Sequence, residues 1–423
     1  MKKRLIVIMM IAALLLSLIG CASGDSQATG EKQKVVLGIW DENQKEALQI
    51  VVDQFNAQSE TVEASIELTP WSNYWTKLDA AANAGEAPDV FWMNVYMPKY
   101  VAGNVLLPLD EYIKKDSLDM SAYVPAVKTM YNYEDQQWAI PKGMDSVVVV
   151  YNKAIFDKYD VAYPEEGWTW DEMKVIAAEL KEKMTAADSG EYPILMELDA
   201  QPSHFNFIYQ MGGEVISSDY TKSGYNKPET VAAYQNVVDL LDEELLAPYT
   251  VLSETKGTDL FLSQKGAIVF AGSWKAKVFE ESSIGTEGNI GMVTMPKQAD
   301  SNATVIGGLG YSIYKNTEHP DAAWELVKYL TGEEGNKIQA EHGIDIPALT
   351  SAQHYYKSNF TKIDPQVYFD AVASSVPFPA GPDLTVWFGP VNDNAARIFA
   401  GEISAEEGCN NIYVEMQKII DED

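Results

Sequence analysis

A chain of 423 residues with 31 Lys and Arg against 62 Asp and Glu carries a net charge of −31, and it is 46% hydrophobic and 11% aromatic. That length exceeds one compact core and calls for two or three domains. The acid excess, with no basic stripe to offset it, excludes a nucleic-acid binder. The apolar content, with 10 Trp and 23 Tyr, excludes a disordered acidic chain.

Lys2, Lys3 and Arg4 precede an uncharged apolar run from Leu5 to Leu16, the pattern of a secretory signal over residues 1–20. Its apolar stretch of about 15 residues falls short of the ~20 that a bilayer-spanning helix needs. Leu18-Ile19-Gly20-Cys21 resembles the bacterial lipobox, which implies that Cys21 is lipid-modified and becomes the mature N-terminus. Residues 21–33 are mostly small and polar and read as a flexible tether to the membrane. With Cys21 so used, Cys409 has no disulfide partner, and its helical spacing with Ile412, Met416 and Ile419 makes it a small buried hydrophobe.

In chain order, Val35 to Trp40 reads as a strand, and Ala47, Ile50, Val51 and Phe55 fall on one face of the helix that follows. Val62 to Leu68 alternates apolar and polar, Trp75 to Ala84 reads as helix, and Pro88 to Met93 as a buried strand. This β-α-β-α-β order predicts a mainly parallel sheet with helices on its faces. Ligands of such sheets sit beyond the carboxyl ends of the strands, which marks Trp40, Trp71 and Met93-Asn94 as candidate site positions. Val147 to Tyr151 is a continuous apolar strand, and Thr169-Trp170-Asp171-Glu172 is a capping box opening a helix toward Lys183. Ala267 to Phe270 is a short buried strand leading into Gly272-Ser273-Trp274. Pro320 starts a helix with Ala323, Val327 and Leu330 on one face, and Ser404 to Glu407 repeats the capping signal before a final helix.

Catalytic and metal patterns are missing. His204, His319, His342 and His354 are scattered, with no H-E-x-x-H, no nucleophile elbow and no Walker loop, so neither a metal nor a cofactor is expected. Gly307-Gly308-Leu309-Gly310 lacks the dinucleotide spacing and reads as a turn or a close backbone approach. No pair among the 62 acids stands out as the two carboxylates of a glycosidase.

Six segments in order carry a family likeness: Gly85 to Val90, Ile140-Pro141 through Tyr151-Asn152-Lys153, Gly167 to Glu172, Gly212-Gly213, Gly266 to Trp274, and His319 to Trp324. On these the chain resembles the extracellular solute-binding proteins of ABC importers, in the group that includes maltose-binding protein. The resemblance implies an α/β, periplasmic-binding-protein-like fold: two lobes with a ligand cleft and hinge crossings between them. The expected lobes are 34–142 with 304–349, and 143–303 with 350–423.

A sugar offers hydroxyl edges and apolar C–H faces, so its site needs aromatic platforms and a few carboxylates or amides. By the resemblance, Asp145 is an acidic ligand residue, Trp274 a stacking residue from the second lobe, and Asn94 a polar residue facing the cleft. Trp40, Asp41 and Trp71 end strands at the cleft edge, Gly308 lies in the glycine-rich approach, and Trp387 or Phe388 is a late stacking aromatic; Trp92 reads as core. The implied function is capture of a mono- or oligosaccharide, without catalysis, by a lipid-anchored monomer that delivers it to importer permease subunits. The alternatives are a receptor for a polyol phosphate, peptide or polyamine, whose cleft would carry charged clusters, and an anchored glycosidase. Asn94 in place of Asp, and Asp41-Glu42 without a neighbouring Lys, depart from maltose-binding protein, so its ligand does not transfer.

Overall fold

The computed structural model describes residues 31–381 and 383–422; the expected signal, the lipobox with Cys21 and most of the tether lie outside them. Strand β1 (Gln33–Ile39) begins at the last residue of the expected tether and buries Val35, Leu37 and Ile39 completely. The Glu42–Gln58 helix turns Ala47, Leu48, Val51, Val52 and Phe55 inward, whereas Ile50, expected on that face, is 36% exposed. At 3.6 residues per turn, Leu48 and Val52 lie on the stripe with Val51 and Phe55, and Ile50 lies round the helix from it. Strand β2 (Val62–Leu68) is followed by the Trp71–Ala84 helix, which starts earlier than expected because Pro70 stands at its N-terminal boundary and ends on Gly85 at φ 81°. Only a residue tolerant of the left-handed region closes a helix this way without strain.

Strand β3 (Val90–Met93) pairs with β1 in parallel, as β2 does on the other side. A short hairpin, β4 (Asn132–Tyr133) and β5 (Gln136–Gln137), leads to β6 (Ile140–Met144). The chain then enters a second sheet through β7 (Val147–Asn152), β8 (Tyr192–Leu195), β9 (Gly266–Gly272) and β10 (Ile290–Val293). After β11 (Thr304–Ile306) it returns as β12 (Gly308–Ile313) and β13 (Ile346–Pro347), and β14 (Ser375–Pro377) comes back to pair with β11. The larger sheet runs in the order β13-β6-β12-β3-β1-β2 and the smaller in the order β10-β7-β9-β8.

On the larger sheet's side, the Glu42–Gln58 helix packs with Pro320–Thr331 and Glu333–Glu341. On the other, Trp170–Ala186 packs on β8, while Leu384–Phe399 and Ala405–Glu422 pair with each other and cover Pro228–Asp242. The Thr169 capping box forms in both directions: Glu172 N donates to Thr169 Oγ1 at 3.2 Å, and Thr169 N to Glu172 Oε2 at 2.8 Å. Cys409 is fully buried with Ile412 and Met416, and burial pushes its thiol up to about 12, which suits a hydrophobe rather than a nucleophile.

Candidate functional site

One very short passage joins the two sheets, and another joins the larger sheet to β11, which pairs with β14 and lies against β7 through the Val147 N to Thr304 Oγ1 hydrogen bond of 2.9 Å. Met144 ends β6 and Val147 begins β7, while Ile306 ends β11 and Gly308 begins β12. Two residues and one residue of chain span only about 10 Å at most, so the sheet edges at these points lie close together. The passages lie side by side, because Asp145 N donates to Gly307 O at 3.2 Å and Gly307 N donates to Asp145 Oδ1 at 2.6 Å. A third passage runs between the Gln353–Asn359 helix, packed on Glu333–Glu341, and the Gln366–Ala371 helix, packed on β7. The expected lobe limits at 142 and 349 thus stand two residues before the end of β6 and ten residues before that third passage.

The registers decide what these edges carry. Gly308 pairs with Met144, Gly310 with Met93 and Ile39 with Leu68, so the carboxyl ends of β1, β2, β3 and β6 share one edge of the larger sheet. Val147 pairs with Gly272, which puts the end of β9 beside the start of β7 at the joined edge of the smaller sheet.

On the larger sheet's edge the residues past the strand ends form an aromatic wall. The Trp40 ring lies 5.3 Å from Trp71, 4.9 Å from Tyr74, 5.6 Å from Trp75 and 5.0 Å from Trp92, mostly edge to face. Trp75 extends the wall to Tyr96 at 4.8 Å. These crossings set positive ring edges on negative ring faces. Trp92 is fully buried, as expected of a core residue, and Trp71 at the rim is 49% exposed. Asp41 caps the Glu42–Gln58 helix by accepting from Asn43 N at 2.9 Å and also accepts from Gln44 Nε2 at 3.2 Å. Asn94 is half-buried, and its Oδ1 accepts from Tyr96 N at 2.9 Å, shaping the turn after β3.

Beneath this wall lies a polar network that motif reading does not reach. Lys142 is 2% exposed; its ammonium pairs with the Asp345 carboxylate, donates to Gln44 Oε1 at 3.1 Å and stands 4.9 Å from the Trp92 ring centre. Burial raises the Asp345 carboxyl, and the Lys142 charge opposes that rise. The available signal was a lysine inside an otherwise uncharged strand, Ile140–Met144.

Asp145 sits in the first passage. Its Oδ1 accepts from both Gly307 N and Gln201 Nε2, each at 2.6 Å. Burial pushes its carboxyl up to about 6, and those two hydrogen bonds work against the rise. Gln201, which was not among the expected site residues, is thereby held at the hinge.

On the smaller sheet's edge Trp274 is half-buried in the turn after β9. Two of the expected contact residues are buried. Trp387 is 1% exposed, since the Leu384–Phe399 helix turns it into the core with Leu384 and Val391 and leaves it no free face. Phe388, one position round the helix, is the half-buried member of that pair and packs on Phe205 and Phe378. Gly308 is buried in β12: its carbonyl accepts from Tyr131 Oη at 2.7 Å, and a β-carbon would meet Val127 Cγ1 at 2.8 Å. It is therefore a position of close backbone packing, not an exposed contact.

Among the described residues no group of three or more His, Cys, Asp or Glu is placed to hold a metal, and no helix is long and apolar enough to cross a membrane.

The fold is shared with solved structures. An ABC substrate-binding protein from Listeria monocytogenes in complex with cycloalternan superposes with a TM-score of 0.85 at 22% identity, covering 92% of this chain and 100% of that one. A solute-binding protein from Thermotoga lettingae bound with α-D-tagatose gives a TM-score of 0.80 at 21% identity, covering 92% and 100%. In sequence the chain is 25% identical to a maltotriose-binding protein of Pyrococcus abyssi, over 83% of this chain and 75% of that protein. It is 21% identical to a galactooligosaccharide-binding protein of Bacillus subtilis, over 97% and 96%. Residues 40–337, from the aromatic wall through both short passages to the helices behind the larger sheet, match the bacterial extracellular solute-binding protein family, and the chain belongs to it.

Proposed function

We propose that this protein is the substrate-binding subunit of an ABC importer, which takes a mono- or oligosaccharide between its two sheets and hands it on unchanged to permease subunits. The observation that carries this reading is the aromatic wall around Trp40 and Trp71 on one joined edge, with Trp274 on the other. Aromatic faces suit the C–H faces of pyranose rings, while Asp41, Asn94, Asp145 and Gln201 supply oxygens and an amide for hydroxyls. The relatives named above are called maltotriose- and galactooligosaccharide-binding proteins, and the similar structures hold cycloalternan and tagatose.

The sheets act as two lobes that close by bending at the passages. A ligand touching both edges stabilises the closed state because only there are both sets of contacts made. The protein works as a monomer, held at the outer face of the membrane by a lipid on Cys21. The Cys21→Ser protein should leave the membrane fraction for the medium or periplasm on cell fractionation; retention at the membrane contradicts the anchor.

The function is tested by a thermal-shift and fluorescence screen with maltotriose, a galacto-oligosaccharide, cycloalternan, tagatose, peptides and polyamines. A specific sugar at a hundred times its Kd adds about 2.7 kcal/mol of stability. Silence across the sugars, or a response to a peptide or polyamine alone, ends the carbohydrate reading, and loss of the sugar to hydrolysis during incubation ends the non-catalytic one.

A further inference from the structure

Gly272 is the last residue of β9 and pairs with Val147, the first of β7. A β-carbon built on it would stand 2.1 Å from both Cη2 and Cζ3 of Trp274 and 2.4 Å from Cε3. A point beside a ring edge is close to two ring carbons and far from the third; three consecutive carbons at nearly equal distance put this point over the face of the six-membered ring. The indole therefore lies flat on the α-carbon of Gly272, in the space where any other residue carries a side chain. The backbone itself does not demand glycine here: φ −84° and ψ 158° are ordinary extended values. Space alone excludes a side chain.

The turn under the ring is also fastened to the first passage. Ser273 N donates to Ser146 O at 2.9 Å, Ser146 N to Ser273 Oγ at 3.3 Å, and Ser146 Oγ to the carbonyl of Tyr368 at 2.9 Å. Ser146 is fully buried and Ser273 is 4% exposed, so water does not compete for these bonds. One face of Trp274 is covered by the strand, and the residue as a whole stays half-buried, not enclosed.

We infer that Gly272 is a positioning residue for the binding site: it seats the Trp274 indole flat against the end of β9 and so sets the plane on which a sugar ring stacks. The inference rests on the reading of Trp274 as a sugar platform, but the seat itself is testable without a sugar. In Gly272→Ala the clashing atoms are the far end of a side chain that can rotate, so the fold survives while the ring lifts away.

The experiment is a cycle of Gly272→Ala, Trp274→Ala and the double variant, read by near-UV circular dichroism and by titration with maltotriose and a galacto-oligosaccharide. Gly272→Ala should change the near-UV spectrum only while Trp274 is present, and should weaken binding about tenfold or more, with no further loss when added to Trp274→Ala. An unchanged spectrum, or losses that multiply in the double variant, overturns the seat. Failure of the unaltered protein to bind either sugar counts against the sugar reading, and the spectral comparison still decides the role of Gly272.

Discussion

Lys142 is buried between Asp345, Gln44 and the Trp92 ring, in a strand with no other charge. A lone cation there would be too costly; the carboxylate and amide around it offset most of its lost hydration. Removing one partner leaves the other charge buried alone, so Lys142→Met should destabilise the protein by about 3–5 kcal/mol. Adding Asp345→Asn should recover much of that loss in urea unfolding. His204 makes a second residue-scale case. Its ring lies among Phe205, Tyr234 and Phe399, its Nε2 finds no hydrogen-bond partner among the described residues, and burial pulls its pKa down to about 3. The unfolded chain takes up a proton near the ordinary value of about 6.5 that the folded protein refuses. Stability tied to this group is thus complete above about pH 6.5 and is lost as pH falls toward 3. His204→Phe should gain on the unaltered protein in urea midpoint at pH 4.5 relative to pH 7.5; equal differences at both pH values contradict this.

At the scale of elements, the third passage is held by one carboxylate. Glu280 accepts from the backbone N–H groups of Thr361, Lys362 and Ile363 at 2.9–3.0 Å, and from Thr361 Oγ1 at 3.0 Å. Burial pushes this carboxyl up, but the three N–H groups together hold it below its ordinary value. Glu280→Ala should cost about 2 kcal/mol and remove the hydrogen-exchange protection of those three amides, while the β7 amides keep theirs. Local signals fared well at this scale. The Thr169 box was readable because cap and partner lie three residues apart, and Cys409 because its helix repeats at one face. Ile50 was misplaced because helical phase alone does not say where the neighbouring helix or sheet lies; in the pair Trp387 or Phe388, offered by the resemblance, one position of helix turns a side chain by about 100°, and it is Trp387 that is buried.

For the molecule as a whole, Asp145 is the residue on which the two short passages meet. It joins them and holds Gln201. With a pKa near 6 against an ordinary value of about 3.9, the folded protein holds a proton between those limits that the unfolded chain has released. The stability linked to that proton is full below about pH 4 and is lost as pH rises through 6, opposite in sign to the His204 effect. Asp145→Asn should therefore flatten the stability profile between pH 4 and 6 in urea unfolding, and should weaken the ligand-driven fall in radius of gyration seen by small-angle scattering at pH 7.5. An unchanged profile and unchanged compaction would place Asp145 outside the hinge's working parts.

The opening β-α-β-α-β order, β7 and β9, the Thr169 capping box, the absence of catalytic motifs and the aromatic supply at strand ends were determined by the sequence itself, since each depends on residues near one another in the chain. The expected mainly parallel sheet was not, because β6, β12 and β13 join the larger sheet through antiparallel pairs. Which aromatics have a free face, that Asp145 bonds Gly307 and Gln201, that Lys142 meets Asp345 and that Trp274 lies on Gly272 were decided only by tertiary structure. Gly307 is 162 residues from Asp145, and Asp345 is 203 from Lys142. Contacts over such separations are set by sheet register and by the crossing of chain between sheets, and periodicity along the sequence carries no record of either.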